Sequence, residues 1–243
     1  MSNDGDEIYI DYAQGKPYME CENLRQATHS IQLKKSVSFY GFNGKAEIRC
    51  TNWYDLFMIK SPSLNKTRVK FLNLVISNSK RAILLDVGTR SELVFQNTLV
   101  KNNIFGIHSK YSNDSSILIT NSSFKHNSPG GTFLQCLNIT AQITFSIFKL
   151  TPVLFANIGN KTPRWQNIRV WVRSTVVDGD NTQMCIDMFA IQPFAATLNV
   201  AITDSQFKNH VANCKYKDKI STLHIHGNHS NIIQTHSNMI FHI

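Results

Sequence analysis

Residues 115–127 read SSILITNSSFKHN, and this short stretch contains the pattern that decides the fold. Ile117 and Ile119 alternate with other residues, which is typical of a β-strand with one buried face. Asn121 then interrupts the alternation, and asparagine tolerates the left-handed backbone angles of a tight bend. Phe124 follows three residues later, so the stretch predicts a second strand whose core-facing side begins beyond the bend.

The same pattern recurs along the chain. The positions equivalent to Asn121 follow one another at a constant interval as far as Phe145 and at slightly longer intervals after it, and they are Asn73, Asn97, Asn121, Phe145, Ser174 and Asp204. In every unit the residues four before, two before and three after this position are apolar. Because a single unit of strands and bends cannot bury its apolar side alone, the repeat predicts stacked coils with a shared core. The leucine-rich repeat has a similar period, but its L-x-x-L-x-L signature is absent.

We therefore predict an all-β protein, a right-handed parallel β-helix with coils of about 24 residues. Residues 1–243 are expected to form one domain, with 1–36 as an N-terminal cap and first strands and 37–243 as stacked coils. Segment 23–33 (NLRQATHSIQL) is the stretch with helix-like character, and the two longer intervals predict insertions near 157–166 and 189–196. The apolar C-terminal run SNMIFHI is compatible with truncation of a longer chain.

Asparagine recurs at the bend of three successive units. Stacking would place equivalent residues about 4.8 Å apart, the spacing of neighbouring strands. Asn73, Asn97 and Asn121 are therefore predicted to form a buried structural ladder of side-chain hydrogen bonds.

These units resemble a known family of proteins. The run KSVSFYGFNGKAEIRC, followed by V-x-F-x-N, L-V-F-x-N and I-x-I-T-N-S-S-F-x-x-N, is similar to right-handed parallel β-helix proteins of the pectin-lyase-like superfamily over residues 35–230. The resemblance implies the fold. Since this scaffold carries lyases, hydrolases, adhesins and phage tailspikes, it does not imply one activity.

The charge distribution favours an anionic partner. The chain has a net charge of +9, and four acids lie within its first eleven residues, where there is no lysine or arginine. Lys101, Lys125 and Lys149 occupy the same offset in successive units, and Lys208 repeats it further on. We expect them to form a stripe that suits an extended anionic polymer, with a solvated strand edge as the alternative.

Catalytic candidates are few. Glycan-cleaving enzymes of this fold need clustered carboxylates, and VVDGDN supplies only Asp178 and Asp180, which an Asp-Gly turn also explains. No adjacent aspartate pair and no G-H-G occurs, so the motif set of polygalacturonases is missing.

Histidine and cysteine provide further candidates. His224, His226 and His229 could hold zinc, but a surface-facing pair explains LHIHGNH as well. Of the five cysteines, Cys185 with Cys214 and Cys21 with Cys50 have spacings that suit disulfides between coils, with free thiols as the alternative. Cys136 is left over.

The location of the protein is inferred from weaker signals. Glycosylation sequons occur at Asn65, Asn113, Asn138, Asn160 and Asn228, and also at the ladder residue Asn121. No signal peptide and no long apolar segment is visible in the chain. We predict an extracellular or cell-surface protein without a cofactor.

Taken together, the sequence favours a non-catalytic scaffold that binds or adheres to glycans or surface partners. An anionic polysaccharide or a cell-surface protein is the expected partner, and nucleic acid is not favoured. A polysaccharide lyase or glycoside hydrolase on the same fold is the alternative.

Overall fold

A computed structural model describes residues 5–12, 16–19, 21, 29–50, 54–60, 66–109, 112–127, 131–157, 166–178, 189–193, 196–208, 223–225 and 229–235. These residues form 24 β-strands and no helix. In chain order the strands are Asp6–Asp11 (β1), Tyr18–Met19 (β2), His29–Leu33 (β3), Val37–Phe42 (β4), Ala46–Arg49 (β5), Asp55–Ile59 (β6), Thr67–Leu72 (β7), Leu74–Ser77 (β8), Arg81–Leu85 (β9), Ser91–Gln96 (β10), Leu99–Lys101 (β11), Phe105–Ser109 (β12), Ser112–Thr120 (β13), Ser123–Lys125 (β14), Gly131–Thr144 (β15), Ile147–Lys149 (β16), Val153–Asn157 (β17), Gln166–Arg173 (β18), Val176–Asp178 (β19), Phe189–Pro193 (β20), Ala196–Thr203 (β21), Gln206–Lys208 (β22), Leu223–Ile225 (β23) and His229–Thr235 (β24).

Each coil contributes one strand to each of three faces, and all described strand pairs are parallel. The first face contains β1, β4, β7, β10, β13, the second half of β15, β18, β21 and β24. The second face contains β2, β5, β8, β11, β14, β16, β19 and β22. The third face contains β3, β6, β9, β12, the first half of β15, β17, β20 and β23. The long strand β15 thus turns from the third face into the first.

The architecture confirms the predicted fold class, because the parallel strands stack as a β-solenoid. Coils average about 26 residues rather than 24. On the first face the interval between partners is constant where Val69, Leu93, Ile117 and Ala141 pair in register, but Val37 and Val69, which lie further apart along the chain, are also direct partners. Longer connections elsewhere therefore raise the mean. The right-handed sense of the coil stays a prediction.

The structure relocates one predicted insertion and places a strand in the described part of the helix-like segment, of which residues 23–28 lie outside the described residues. Extra residues at 158–165 separate β17 from β18, as expected, but β20 pairs with β17 at Phe189–Pro193, inside the other predicted insertion. The second insertion instead falls at 179–188, between β19 and β20. In the helix-like segment, residues 29–33 form strand β3, because pairing with β6 outweighs local helix propensity.

Two left-handed bends recur in the coils. At the first corner, between the first and second faces, Asn73, Asn97, Asn121, Phe145, Ser174 and Asp204 all have φ between 47° and 56°. At the second corner, which leads into the third face, Asn78, Asn102, His126 and Leu150 have φ between 49° and 58°. The sequence repeat identified the first series, and the second lies five residues further along in each coil.

The apolar columns fill the interior. Phe39, Phe71 and Phe95 stack along the first face with ring centroids 5.6 and 5.3 Å apart. Phe124 and Phe148 stack along the second face at 5.1 Å. Apart from Phe39, which is 4 % exposed, these rings are fully buried. Removing one, as in Phe95→Ala, would therefore cost about 3–5 kcal/mol.

The predicted Asn73–Asn97–Asn121 ladder is only partly present. Asn97 Nδ2 donates to Asn73 Oδ1 at 3.0 Å, and Asn73 Nδ2 donates to the carbonyl oxygens of Gly41 and Gly44 at 2.9 Å. Asn121 is exposed, so the expectation that it is buried was wrong. At Asn121 the corner is held by the backbone instead.

Hydrogen bonds from backbone amides and hydroxyl groups connect neighbouring coils at the first corner where asparagine side chains do not. From Asn73 to Ser174, the N–H of each bend residue donates to a carbonyl of the next coil, as Asn121 does to Thr144 and Phe145 does to Arg173, both at 3.1 Å. The buried hydroxyl one residue after the bend then accepts from the coil before it: Ser122 Oγ accepts from Thr98 N at 3.1 Å. The bend side chain is therefore free to vary.

A second, fully internal ladder lies at the second corner. Asn103 Nδ2 donates to Asn127 Oδ1 at 2.9 Å, and Asn127 Nδ2 donates to Thr151 Oγ1 at 3.3 Å. Ser79 Oγ donates to Asn103 Oδ1 at 2.7 Å and completes the ladder. All four side chains are at most 2 % exposed, so each buried amide has a partner in a neighbouring coil.

Candidate functional site

The predicted lysine stripe forms a column on the second face. Lys101 pairs in register with Lys125, and Lys125 pairs with Lys149. Asp178 comes next, and Lys208 follows it. We call Lys101, Lys125 and Lys149 the lysine column. Its members lie one inter-strand spacing apart, about 4.8 Å at Cα.

Strand periodicity explains why these side chains point outward. Val100, Phe124 and Phe148, which immediately precede the lysines, are fully buried. Because successive residues of a strand point to opposite sides of the sheet, each lysine side chain points away from the core. The three lysines are half-buried as whole residues. Because lysine buries its methylene stem and keeps its charged end in water, we expect the ammonium groups to be within reach of solvent.

Glu47 closes one end of the lysine column. Its Oε1 lies 3.7 Å from Lys101 Nζ, accepts a hydrogen bond from Ser77 Oγ at 2.5 Å, and lies 3.1 Å from Arg49 Nη2. Burial raises the pKa of this carboxyl. The hydrogen bonds from Ser77 and Arg49 and the positive charges of Lys101 and Arg49 outweigh burial, so the pKa stays below its ordinary value.

Sequence reasoning missed Glu47, which lies in β5, while Lys101 lies in β11 with β8 between them. The short side chain of Ser77 in β8 allows the lysine to reach across a whole coil. Glu47 neutralises part of the charge at Lys101, and Asp178 lies in register beside Lys149 at the other end, so the column is most cationic at Lys125.

A second column of mixed character runs beside the lysines. Leu99, Ser123, Ile147 and Val176 pair in register two residues before the lysine positions. Ile147 is 40 % exposed, and the others are half-buried. The surface therefore offers a shallow apolar strip along one side of a row of cations.

The candidate catalytic pair is divided between described and undescribed residues. Asp178 lies in register with Lys149 and Lys208, where it interrupts the row of cations. Asp180 lies outside the described residues. Because only Asp178 is described, the structure gives no geometry for the pair.

The metal candidates are placed only by their backbones. His224 lies in β23 and His229 begins β24, whereas His226 is outside the described residues. Within the described part of the chain, no three His, Cys, Asp or Glu side chains are grouped so as to hold a metal ion.

One of the two candidate cysteine pairs is joined. Cys21 and Cys50 form a disulfide with their Cα atoms 4.9 Å apart, and both are 2 % exposed. Cys185 and Cys214 lie outside the described residues, and Cys136 lies in β15 in register with Ser112.

Two candidate glycosylation sites are described. Asn113 Nδ2 donates to the Gly88 carbonyl at 3.1 Å, and Asn138 Nδ2 donates to Asp114 Oδ1 at 2.7 Å. Asn138 is half-buried in the middle of β15, so a glycan there would break this contact between coils. The sites Asn65, Asn160 and Asn228 lie outside the described residues, and Lys208 is placed by its backbone alone.

No helix long and apolar enough to cross a membrane is found in the described residues. Comparison of the chain with models of protein families, with curated proteins and with solved structures finds no match. The geometry of the chain itself is therefore the basis for any functional conclusion.

Proposed function

We propose that the protein is a non-catalytic scaffold that binds an extended acidic polysaccharide along the lysine column. The observation that carries the proposal is the direct register of Lys101, Lys125 and Lys149 on three adjacent strands. A rigid row of cations at regular spacing suits a polymer that carries an acid group on successive units.

Three further features support this reading. The chain is basic overall, with a net charge of +9, which promotes association with polyanions. The exposed Ile147 beside the lysine column offers apolar area to sugar ring carbons. The Cys21–Cys50 disulfide suits an oxidising compartment, and we propose an extracellular or cell-surface location, where acidic polysaccharides are found.

A proposal about the family of the protein follows from the fold and from the sequence resemblance. We propose a place among the pectin-lyase-like β-helix proteins, on the side of the adhesins rather than of the enzymes. The stacked parallel coils and the resemblance of residues 35–230 support it.

The test is a triple substitution of the column. Lys101→Ala, Lys125→Ala and Lys149→Ala together should weaken binding of a heparin-derived octasaccharide about tenfold, since each exposed ion pair contributes roughly 0.2–1 kcal/mol. Titration calorimetry at low and at physiological salt would measure the dissociation constant. Added salt should weaken binding of the octasaccharide by the native protein more than binding by the variant.

The matched control removes the same charge elsewhere. Lys34, Lys35 and Lys45 are exposed and lie outside the column, so their triple alanine variant should bind the octasaccharide nearly as well as the native protein. Equal losses in both variants would show that net charge, and not the column, is responsible. If the triple alanine variant of the lysine column bound the octasaccharide with native affinity, the proposal would be contradicted.

A further inference from the structure

Strand β18 presents an exposed tryptophan between two arginines. Arg169, Trp171 and Arg173 occupy successive outward positions of the first face and are exposed, Trp171 by 38 %. The intervening inward residues Val170 and Val172 are fully buried, which fixes the strand. A tryptophan on the outward side of an amphipathic strand loses apolar burial that the core could have given it.

The strands on either side supply neutral polar and small residues. Thr140 and Asn199 flank Arg169, Gln142 and Ala201 flank Trp171, and Thr144 and Thr203 flank Arg173. The short side chain of Ala201 leaves open space beside one edge of the indole. The amide and hydroxyl groups of the other flanking residues can donate and accept hydrogen bonds.

The two guanidinium groups differ from the arginines of earlier coils. Arg68 lies 3.2 Å from Glu92 in the next coil, and Arg90 lies 3.3 Å from Asp114. The register partners of Arg169 and Arg173 are not acidic, and among the described residues neither arginine forms an ion pair.

The spacing of these three side chains fits a particular ligand chemistry. At about 3.3 Å per residue, each arginine Cα lies roughly 6.6 Å from that of Trp171, and the two arginines lie about 13 Å apart. An indole offers a broad, rigid amphipathic surface, and a guanidinium binds a carboxylate or sulfate through two parallel hydrogen bonds. A sugar ring stacked on Trp171 would place acid groups on its neighbours near the arginines.

We propose that Arg169, Trp171 and Arg173 form a second binding site, the β18 site, which takes a ring of an acidic oligosaccharide. The β18 site lies on the first face and the lysine column on the second. The proposal for the β18 site therefore does not depend on the function proposed for the lysine column. The two surfaces can hold separate segments of one polymer.

The surroundings favour a glycan over the other polyanions. Insertion into a bilayer needs a protruding apolar surface, but Trp171 lies within strand β18 between two arginines and beside Gln142. Single-stranded nucleic acid is bound by several aromatic side chains that stack successive bases, and in the described part of the first face Trp171 has no aromatic register partner. Both ligands are nevertheless included as outcomes of the test.

The test measures how substitutions of the β18 site change binding of acidic oligosaccharides, neutral dextran oligosaccharides, phosphatidylglycerol vesicles and single-stranded DNA. In the Trp171→Ala variant, binding of a trigalacturonate or a heparin-derived tetrasaccharide should weaken about tenfold, with little loss of thermal stability because the side chain faces outward. Trp171→Phe should retain most of the affinity but lose the ligand-induced change in tryptophan fluorescence. Neutral dextran oligosaccharides should bind at least about tenfold more weakly than the acidic probes.

The matched charge control is Arg68→Gln, which removes an exposed arginine of the same face that is already paired with Glu92. Arg169→Gln with Arg173→Gln should weaken binding, and Arg68→Gln should leave it unchanged. The triple alanine variant of the lysine column should keep the fluorescence change at Trp171, which separates failure of the β18 site from failure of the column.

Four results would overturn the proposal. They are equal losses for Arg68→Gln and the double glutamine variant, no binding of either acidic oligosaccharide, unchanged affinity in Trp171→Ala, and a loss in that variant seen only with phosphatidylglycerol vesicles or single-stranded DNA.

Discussion

The bend residue Phe145 is the least favourable choice in an otherwise regular corner. Equivalent positions carry Asn, Ser or Asp, whereas Phe145 holds φ at 49° with its ring 61 % exposed. A left-handed conformation costs a non-glycine residue roughly 1–2 kcal/mol, and asparagine relieves part of that cost.

We expect Phe145→Asn to raise the free energy of unfolding by about 0.5–1 kcal/mol, because little burial is lost and backbone strain falls. Urea unfolding followed by circular dichroism measures the change. Phe145→Ala, which removes the ring and keeps most of the backbone cost, is the control. A destabilised asparagine variant would mean that the exposed ring makes stabilising contacts.

The two asparagines Asn121 and Asn127 differ in role although they stand six residues apart. Asn127 is fully buried and bonded to Asn103, Thr151 and the Val100 carbonyl, whereas Asn121 is exposed. Asn127→Ala leaves buried polar groups unsatisfied and should cost about 2–3 kcal/mol. Asn121→Gly keeps the bend conformation and should change stability by less than about 0.5 kcal/mol. Denaturant unfolding of the pair would decide, and equal effects would contradict the assignment of the internal ladder.

Apolar periodicity made the core predictable residue by residue, but it could not locate the internal ladder. Ser79, Asn103, Asn127 and Thr151 recur at one constant interval, yet they are three different residue types. Hydrogen bonding requires only a suitable donor or acceptor at the site, so chemical identity varies while the function of the position persists. Asn73, Asn97 and Asn121 share the left-handed backbone and the same place in the repeat, yet of these three only Asn121 is exposed, so the repeat pattern could not predict the difference.

At the scale of strands, the charge network at β5, β8 and β11 makes stability depend on pH. The folded state holds the pKa of Glu47 below its ordinary value of 4.5. A carboxyl of this kind stabilises the fold above its unfolded pKa, and the contribution disappears as the pH falls through the folded pKa.

Glu47→Gln should therefore lower stability at pH 7, and this deficit should shrink as the pH falls through the lowered pKa of Glu47. Thermal unfolding at several pH values tests this. Glu92→Gln, which removes a carboxylate from the more exposed ion pair with Arg68, is the comparison and should lower stability less at pH 7. A Glu47→Gln deficit that is constant with pH would exclude the ionic explanation.

Register was predictable for the lysine column because constant spacing in sequence places the lysines on neighbouring strands. The link from Lys101 to Glu47 was not, because it spans two strand spacings and depends on the small Ser77 between them. The alternation of Arg169, Trp171 and Arg173 is visible in the sequence. Its significance appears only when the flanking strands prove to carry no acid at these positions.

For the whole molecule, the repeat predicted the solenoid but not the lengths of all its coils. On the first face, residues added between strands leave the strand register unchanged. Val170 shows this, because it still pairs with Ala141 although the connection between their strands is longer than in the coils before it. Loop length carries a small entropic cost, so the stacked strands tolerate such additions.

The Cys21–Cys50 disulfide should contribute to the stability of the first coils. Their separation of 29 residues corresponds to a loop whose closure is worth about 3–4 kcal/mol in the chain-entropy model. Cys21→Ser with Cys50→Ser should lower the free energy of unfolding by that order, measured by denaturant unfolding. Adding reductant to the native protein should reproduce the loss and leave the double variant unchanged. A loss in the variant that reductant does not reproduce would point to packing of the sulfur atoms instead.

The same crosslink has a mechanical consequence. If the molecule were pulled from its two ends, coils would peel away from their neighbours and release their chain length, but the 29-residue loop between Cys21 and Cys50 would stay closed. Fully extended, that loop corresponds to about 100 Å of chain. The oxidised protein should therefore reach a contour length shorter by about this amount than the reduced protein, so a stretched molecule would report its own redox state.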